Sequence, residues 1–125
     1  MSSSCKSQEE KRAEALKKEV HQLHDDLMLK SEDLAKLKRD LGKQLKHAKN
    51  PIQSGAMKGI ILLINAAQSF MDDWMKMYKE PDMEKDLDAA IKYYEKQLSE
   101  LERMQSEMLE AEGKAKEWIE KFKEN

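Results

Sequence analysis

The apolar residues in the first third of the chain recur in alternating steps of three and four, and this spacing constrains the fold most strongly. The series is Leu16, Val20, Leu23, Leu27, Leu34, Leu37 and Leu41, with Leu45 a further step of four along the chain. Such a heptad keeps one stripe of a helix facing a partner helix. Lys30 takes the one position that should be apolar, so its stem is expected to lie along the core while its ammonium reaches water. We predict a first helix over about residues 8–47.

Two further stretches carry the same spacing, and breaks at Asn50-Pro51 and around Pro81 separate them. The second series is Ile60, Leu63, Ala67, Phe70, Trp74 and Met77. The third is Leu87, Ile91, Tyr94, Leu98, Leu101, Met108, Ala111, Ala115, Trp118 and Phe122. We predict helices at about 52–79 and 82–123, with Asp82 as the cap of the third.

The composition agrees with long helices. The chain is 38% charged and has only 4 Gly and 2 Pro among its 125 residues, which disfavours a fold rich in turns. Short connections between successive helices make them antiparallel neighbours. The prediction is an all-α fold: an antiparallel up-down-up three-helix bundle with long, coiled-coil-like helices over residues 8–125, after a disordered tether of residues 1–7.

Charge and motifs exclude several classes of function. The 23 basic and 25 acidic residues are interspersed and give a net charge of −2, whereas a nucleic-acid-binding domain needs a basic face. The chain has no glycine-rich phosphate loop, no CxxC pair and no nucleophile elbow. We therefore expect no nucleic-acid partner, no catalytic residues, no enzyme activity and no cofactor.

Two histidines on the first helix face acidic and aromatic residues of the second. If the first helix ends near residue 47 and the second starts near 52, His24 and Asp25 lie level with Trp74. The predicted polar and aromatic cluster is His21, His24, Asp25, Asp72, Asp73 and Trp74. Its simplest role is structural, through stacking and hydrogen bonds. The alternative is a metal site built on the two histidines and nearby carboxylates.

The unequal helix lengths direct attention to the end of the third helix. At about 1.5 Å per residue, the first and third helices reach roughly 60 Å and the second roughly 40 Å. Trp118 and Phe122 then project beyond the second helix. They are predicted either to contact a partner, such as a second copy of the chain, or to be covered by the loop at residues 48–56. The alternative is that the third helix bends or frays.

A resemblance to a known family is carried by four stretches. They are EALKKEVHQLHDDLM (14–28), KLKRDL (36–41), MDDWMKMYKEPD (71–82) and YYEKQLSELERMQSEM (93–108). They resemble small helical lipoproteins of Bacteroidetes that often carry the label "viral A-type inclusion protein", a label that reflects coiled-coil similarity. The pairing of HDD with MDDWM is the most specific part. The resemblance implies an all-helical domain and a location, and it implies no reaction.

The resemblance also implies a role for the only cysteine. Cys5 would be the first residue of the mature protein, with its thiol linked to diacylglycerol, and the membrane would be reached through this anchor. Met1 would then be a start codon added in place of a signal peptide. The expected location is the cell envelope, on the periplasmic or surface side of a membrane. If Met1 is the native start, the protein is instead cytoplasmic.

Two functional interpretations follow from these residues. The first is an envelope lipoprotein, a membrane-tethered helical bundle with a binding, scaffolding or spacer role. The alternative is a cytosolic coiled-coil adaptor that docks a partner protein. A third, weaker interpretation is a metal-binding helical protein that uses His21 and His24.

Overall fold

The computed structural model describes residues 6–122 as three α-helices. They are α1 (Gln8–Leu45), α2 (Pro51–Met77) and α3 (Leu87–Lys121). The three helices pack against one another, which confirms the predicted all-α three-helix bundle. Cys5 and most of the predicted tether lie outside the described residues, as does the predicted end of the third helix at residue 123. No helix within residues 6–122 is long and apolar enough to cross a membrane.

A reciprocal cap begins α1 directly after the predicted tether. The Glu10 backbone N–H donates to the Ser7 hydroxyl oxygen at 3.0 Å, and the Ser7 N–H donates to the Glu10 carboxylate at 3.2 Å. These two bonds satisfy backbone donors that the first turn of a helix leaves unpaired. Ser7 is therefore part of the helix start, although the sequence placed it in the tether.

The first connection follows the break predicted at Asn50-Pro51. The Asn50 side-chain oxygen accepts a hydrogen bond from the Gln53 N–H at 2.9 Å, and Pro51 occupies the first helical position of α2. α1 ends at Leu45, slightly before the predicted residue 47, because the His47 N–H bonds to Gln44 in a tighter turn. α2 ends at Met77, two residues before the predicted end at 79, because the extended backbone of Tyr78 terminates it.

The start of the third helix was predicted wrongly. Asp82 does not cap α3; its carboxylate accepts from the N–H groups of Glu84 and Lys85, at 3.0 and 3.3 Å, and closes a separate turn. The cap is Asp86, whose carboxylate accepts from the Ala89 N–H at 3.0 Å. Both aspartates are good caps in isolation, and the one that begins the periodic apolar series is used.

Contacts between the helices define an up-down-up arrangement. α1 and α2 are antiparallel, because later residues of one meet earlier residues of the other: Ser31 with Gln68, and Lys38 with Asn65. α1 and α3 are parallel, since Arg12 meets Glu95 and Gln44 meets Ile119. This register places the first turns of α1 beside the first turns of α3, and the α1–α2 connection beside the end of α3.

The core runs along the whole bundle between the three helices. Its fully buried large side chains are Val20, Leu27, Leu34, Leu41, Ile64, Met71, Tyr94, Leu101, Met104 and Met108. On α2, Leu63 and Met77 of the predicted series are exposed, and Ile64 and Met71 are buried instead. The predicted seam of α1 faces inward, with one departure. The Lys30 ammonium does not reach freely into water; it donates to both carboxylate oxygens of Glu112 at 2.9 and 3.0 Å, and the Glu112 side chain is only 10% exposed.

Candidate functional site

The antiparallel register of α1 and α2 brings His24 against Trp74. The two rings stack with centroids 5.2 Å apart and an angle of 29° between their planes. Trp74 is buried near the end of α2, whereas His24 is half-buried on α1. The nearest carboxylate oxygen of Asp25 lies 3.7 Å from the His24 Nδ1 atom, and the His24 Nε2 atom is buried without a hydrogen-bond partner in residues 6–122.

Trp74 is fixed from the opposite helix of the bundle. Its indole N–H donates to the side-chain oxygen of Gln97 on α3 at 2.7 Å. Gln97 is one of two buried polar residues among those described, and this bond satisfies its oxygen. Tyr78 also stacks on Trp74, with ring centroids 4.7 Å apart. The orientation of Trp74 is therefore set by three neighbours from three segments of the chain.

A single carboxylate organises the connection between α2 and α3. The Glu80 Oε1 atom lies 2.7 Å from His21 Nε2 and accepts from the Tyr78 hydroxyl at 3.1 Å. The Glu80 Oε2 atom accepts from the Tyr94 hydroxyl. Glu80 is thus hydrogen-bonded to α1, to α3 and to Tyr78 in its own segment. We call His21, Tyr78, Glu80 and Tyr94 the Glu80 cluster.

The Glu80 cluster changes the acidity of its members. Partial burial raises the pKa of Glu80, but hydrogen bonds from Tyr94, His21 and Tyr78 outweigh it, so the pKa lies below the usual value. Burial, the neighbouring Glu80 charge and the hydrogen bond to it raise the pKa of Tyr78 well above its usual value. Burial and the hydrogen bond to Glu80 do the same to the pKa of Tyr94. The cluster is therefore a carboxylate held by neutral tyrosines.

A further tyrosine closes the connection over the bundle. The Tyr93 hydroxyl oxygen accepts from the Lys79 backbone N–H at 2.8 Å, and the Tyr93 ring lies 5.7 Å from that of Tyr78. A shallow cavity of about 370 Å³ at the end of α2 is lined by His21, His24, Asp25, Trp74, Met75, Tyr78 and Glu80. The Glu80 oxygens already accept three hydrogen bonds. The arrangement therefore stabilises the connection between α2 and α3 against the bundle.

Only part of the cluster predicted from the sequence comes together. His24, Asp25 and Trp74 are neighbours, but Asp72 and Asp73 are exposed, and neither forms an ion pair or a side-chain hydrogen bond within residues 6–122. His21 pairs with Glu80, which the sequence analysis did not single out. Within the same residues, no group of three or more His, Cys, Asp or Glu side chains is arranged to hold a metal ion.

The helical register of α1 and α2 contains partial evidence for the Glu80 cluster. The register that places His24 level with Trp74 places His21 level with Tyr78, one turn further along α2. The KEPD turn then puts a carboxylate two residues after that tyrosine. Side-chain direction in a connection does not follow helical periodicity, so the role of Glu80 itself was not accessible from spacing.

At the opposite end of the bundle, Trp118 and Phe122 form a second feature. Their rings lie 4.3 Å apart, and both residues are half-buried. The α1–α2 connection lies beside them, so the predicted cover by residues 48–56 is present in part. A cavity of about 360 Å³ remains there, lined by Gln44, His47, Ala48, Lys49, Gln53, Met57, Trp118 and Phe122. We call this cavity the distal pocket.

Two polar atoms beside the distal pocket have no partner among the described residues. They are the Trp118 indole nitrogen and the Gln44 side-chain oxygen, and both are buried. The Gln44 side-chain nitrogen donates to the Ile119 carbonyl oxygen at 3.3 Å, so this side chain joins the ends of α1 and α3. Unsatisfied groups of this kind are uncommon in packed interiors.

Comparison with known proteins adds no relative. No protein-family model, curated protein or solved structure matches the chain. The functional proposals below are therefore supported by the residues and contacts described above and by the resemblance noted in the sequence.

Proposed function

We propose that the protein is a cell-envelope lipoprotein, in which a lipid on Cys5 anchors a three-helix bundle that acts as a spacer or scaffold and binds a partner protein. The proposal rests on the resemblance noted in the sequence, and the start of α1 defines where the anchor would lie relative to the bundle. The helix begins at Gln8 under the Ser7 cap, so only Lys6 and Ser7 separate it from Cys5. Diacylglycerol on Cys5 would therefore hold the start of a rigid helix next to the membrane surface.

The chemistry of the anchor suits this role. Diacylglycerol on a cysteine thiol supplies two acyl chains, and two chains give stable membrane attachment where one is marginal. The first helical turns carry both signs of charge, including Glu9, Glu10, Lys11 and Arg12, and form no exposed apolar face that would insert by itself. Attachment in this proposal depends on the lipid, on the periplasmic or surface side of the membrane.

The dimensions of the bundle suit a spacer. α1 has 38 residues and is therefore about 57 Å long at about 1.5 Å per residue. The distal pocket lies at the far end, because Gln44 near the end of α1 lines it together with Trp118. An upright bundle would present this pocket about 50 Å from the anchored end. Trp118 and Phe122 are the residues that we propose for the partner contact.

The Glu80 cluster has a mechanical part in this proposal. A spacer transmits orientation only if its helices are fixed to one another. Glu80 joins α1 through His21 and α3 through Tyr94, at the end of the bundle nearest the anchor. The connection between α2 and α3 is thereby held against both neighbouring helices.

Cell fractionation tests the proposal. The full-length gene is expressed in its native cells as the wild type, as Cys5→Ser, and as Cys5→Ser/Gln8→Cys, which keeps one amino-terminal thiol at the wrong position. We expect only the wild type in the membrane fraction, with detergent needed to release it. Soluble wild-type protein would contradict the lipoprotein proposal and favour the cytosolic adaptor. Membrane association of Cys5→Ser/Gln8→Cys would show that attachment does not require a thiol at position 5. That result would also contradict the lipoprotein proposal.

A further inference from the structure

A stripe of apolar and small residues runs along the outward face of α2, and neither of the other two described helices covers it. Its members are spaced three and four residues apart, and all are exposed: Ile52, Gly55, Gly59, Leu62, Ala66 and Ser69. Ile52 and Leu62 are 84% and 67% exposed, which are two of the three largest values among the exposed large apolar residues. A stripe with heptad spacing is the pattern by which a helix packs on another helix. We call these six residues the α2 stripe.

Packing among the described residues does not account for the two glycines of the α2 stripe. A Cβ atom built at Gly55 or Gly59 meets nothing within 4 Å, so neither glycine makes room for a neighbour in the bundle. Both have ordinary helical backbone, since no glycine among the described residues has a positive φ. Glycine inside a helix is destabilising relative to alanine, and a common reason to keep it is the close approach of another backbone.

The charges at the two ends of the stripe are opposite. Residues 41–71 contain no aspartate or glutamate, and their charged side chains at neutral pH are four lysines: Lys43, Lys46, Lys49 and Lys58. Residues 72–88 contain seven acidic residues and three lysines, beginning with Asp72 and Asp73 directly after the stripe. Two copies placed side by side in the same direction would bring lysines against lysines. Two copies in opposite directions would bring lysines against aspartates.

We propose that the α2 stripe is a homodimer interface, in which the α2 helices of two copies pack antiparallel with Gly59 of each copy under Leu62 of the other. One register satisfies the whole stripe. It places Gly59 opposite Leu62 and Gly55 opposite Ala66, so each of the two glycines faces a side chain of the other copy. The same register places Ile52 opposite Ser69 and the basic Lys49 opposite the acidic Asp72. The dimer is isologous and closed, as expected for a symmetric pair.

This interface does not include the proposed lipid anchor, and of the residues that line the distal pocket it uses only Lys49. It uses neither Cys5 nor Trp118, so its test can be made on unlipidated chain and does not depend on the outcome for Cys5. The antiparallel arrangement sends the two amino-terminal ends in opposite directions. Two anchored copies would therefore lie flat on one membrane or join two membranes.

Solution mass measures the dimer directly. The full chain is studied under reducing conditions by sedimentation equilibrium, as the wild type, as Gly59→Gln and as Gly113→Gln. Gly113 is the matched control: it is an exposed helical glycine on α3, and a Cβ there also meets nothing within 4 Å. We expect the wild type and Gly113→Gln at about twice 14.6 kDa, and Gly59→Gln at 14.6 kDa with unchanged helix content. A monomeric wild type, or equal masses for the two variants, would overturn the proposal.

Disulfide trapping shows whether the two α2 helices of the dimer run antiparallel or parallel. One batch carries Cys5→Ser/Ile52→Cys and another carries Cys5→Ser/Ser69→Cys, and the two are oxidised alone and mixed. The antiparallel register predicts that the mixture forms disulfide dimers much faster than either batch alone. Rapid self-linking of each batch without the other would indicate a parallel pair and would contradict the proposed arrangement.

Discussion

The ammonium of Lys30 donates to both carboxylate oxygens of Glu112, at 2.9 and 3.0 Å, about halfway along α1 and inside the apolar seam. The Glu112 side chain is 10% exposed and the Lys30 side chain 28%, so the pair is largely withdrawn from water. Lys116 approaches the same carboxylate at 3.3 Å from the solvent side. The pair joins α1 to α3 at a fixed register and interrupts the otherwise apolar seam of α1.

Replacing one member of this pair should lower the free energy of unfolding more than replacing both members. Lys30→Met leaves a buried carboxylate without its main partner, and we expect the free energy of unfolding to fall by about 2 kcal/mol. Lys30→Met/Glu112→Met replaces the pair by apolar side chains, and we expect a stability within about 1 kcal/mol of the wild type or above it. Chemical denaturation of the two single variants, the double variant and the wild type gives the coupling energy. A double variant less stable than either single variant would contradict this account.

The same pair predicts a loss of stability in acid. The hydrogen bond from Lys30 lowers the pKa of Glu112, burial opposes it, and the contact with Lys116 lowers the pKa further, so the net direction is downward. A carboxyl group with a lower pKa in the folded state stabilises the fold above its unfolded pKa of about 4.3, and this contribution disappears as the pH falls through the folded-state value. Compared with Lys30→Met/Glu112→Met, the wild type should lose more free energy of unfolding between neutral pH and about pH 3. Equal losses would show that Glu112 does not couple to folding.

The Glu80 cluster predicts that one residue of a connection matters for stability. Glu80→Gln keeps the shape but weakens the bonds from His21, Tyr78 and Tyr94, and we expect the free energy of unfolding to fall by about 1–2 kcal/mol. Glu84→Gln is the matched control, because Glu84 lies exposed in the same connection with no side-chain hydrogen bond or ion pair among the described residues. Thermal and chemical unfolding measure the free energy of unfolding of the two variants and of the wild type. The same effect for the two variants would mean that general charge, and not the cluster, stabilises this end.

Tyrosine ionisation should be linked to unfolding at high pH. Burial first, and then the interactions with Glu80, raise the pKa values of Tyr78 and Tyr94 above the usual 10. A group whose pKa is higher in the folded state stabilises the fold below its unfolded pKa, and that contribution is lost as the pH rises beyond it. Absorbance of tyrosinate and far-ultraviolet circular dichroism, recorded together above about pH 10, should change in one common transition for these two residues. In Tyr78→Phe/Tyr94→Phe that common step should disappear; its persistence would contradict the assignment.

Much of the architecture was predictable because helical periodicity depends on residues close in sequence. The heptad that begins at Leu16 and the break at Pro51 predict two helices and their antiparallel register, and this register places His24 level with Trp74. The start of α3 was less accessible, since Asp82 and Asp86 are chemically equivalent caps and the choice depends on how the connection folds.

Contacts that depend on the second connection could not be read from spacing. The length and path of that connection determine which residues of α3 lie level with α1, and only then does Glu112 become the partner of Lys30. The position of Glu80 depends on the same path. Each site therefore combines a residue of α1, Lys30 or His21, with a carboxylate whose position depends on the second connection.

The central claim is that Cys5 carries a lipid, and the mass of the amino-terminal peptide tests it most directly. The peptide is isolated from the full-length gene product made in its native cells. We predict a peptide that begins at Cys5 and has the added mass of diacylglycerol on its thiol, and that becomes unmodified and uncleaved in Cys5→Ser. An unmodified Cys5 in the wild type would contradict the lipoprotein account, and a cytosolic adaptor would then be the better description of the bundle.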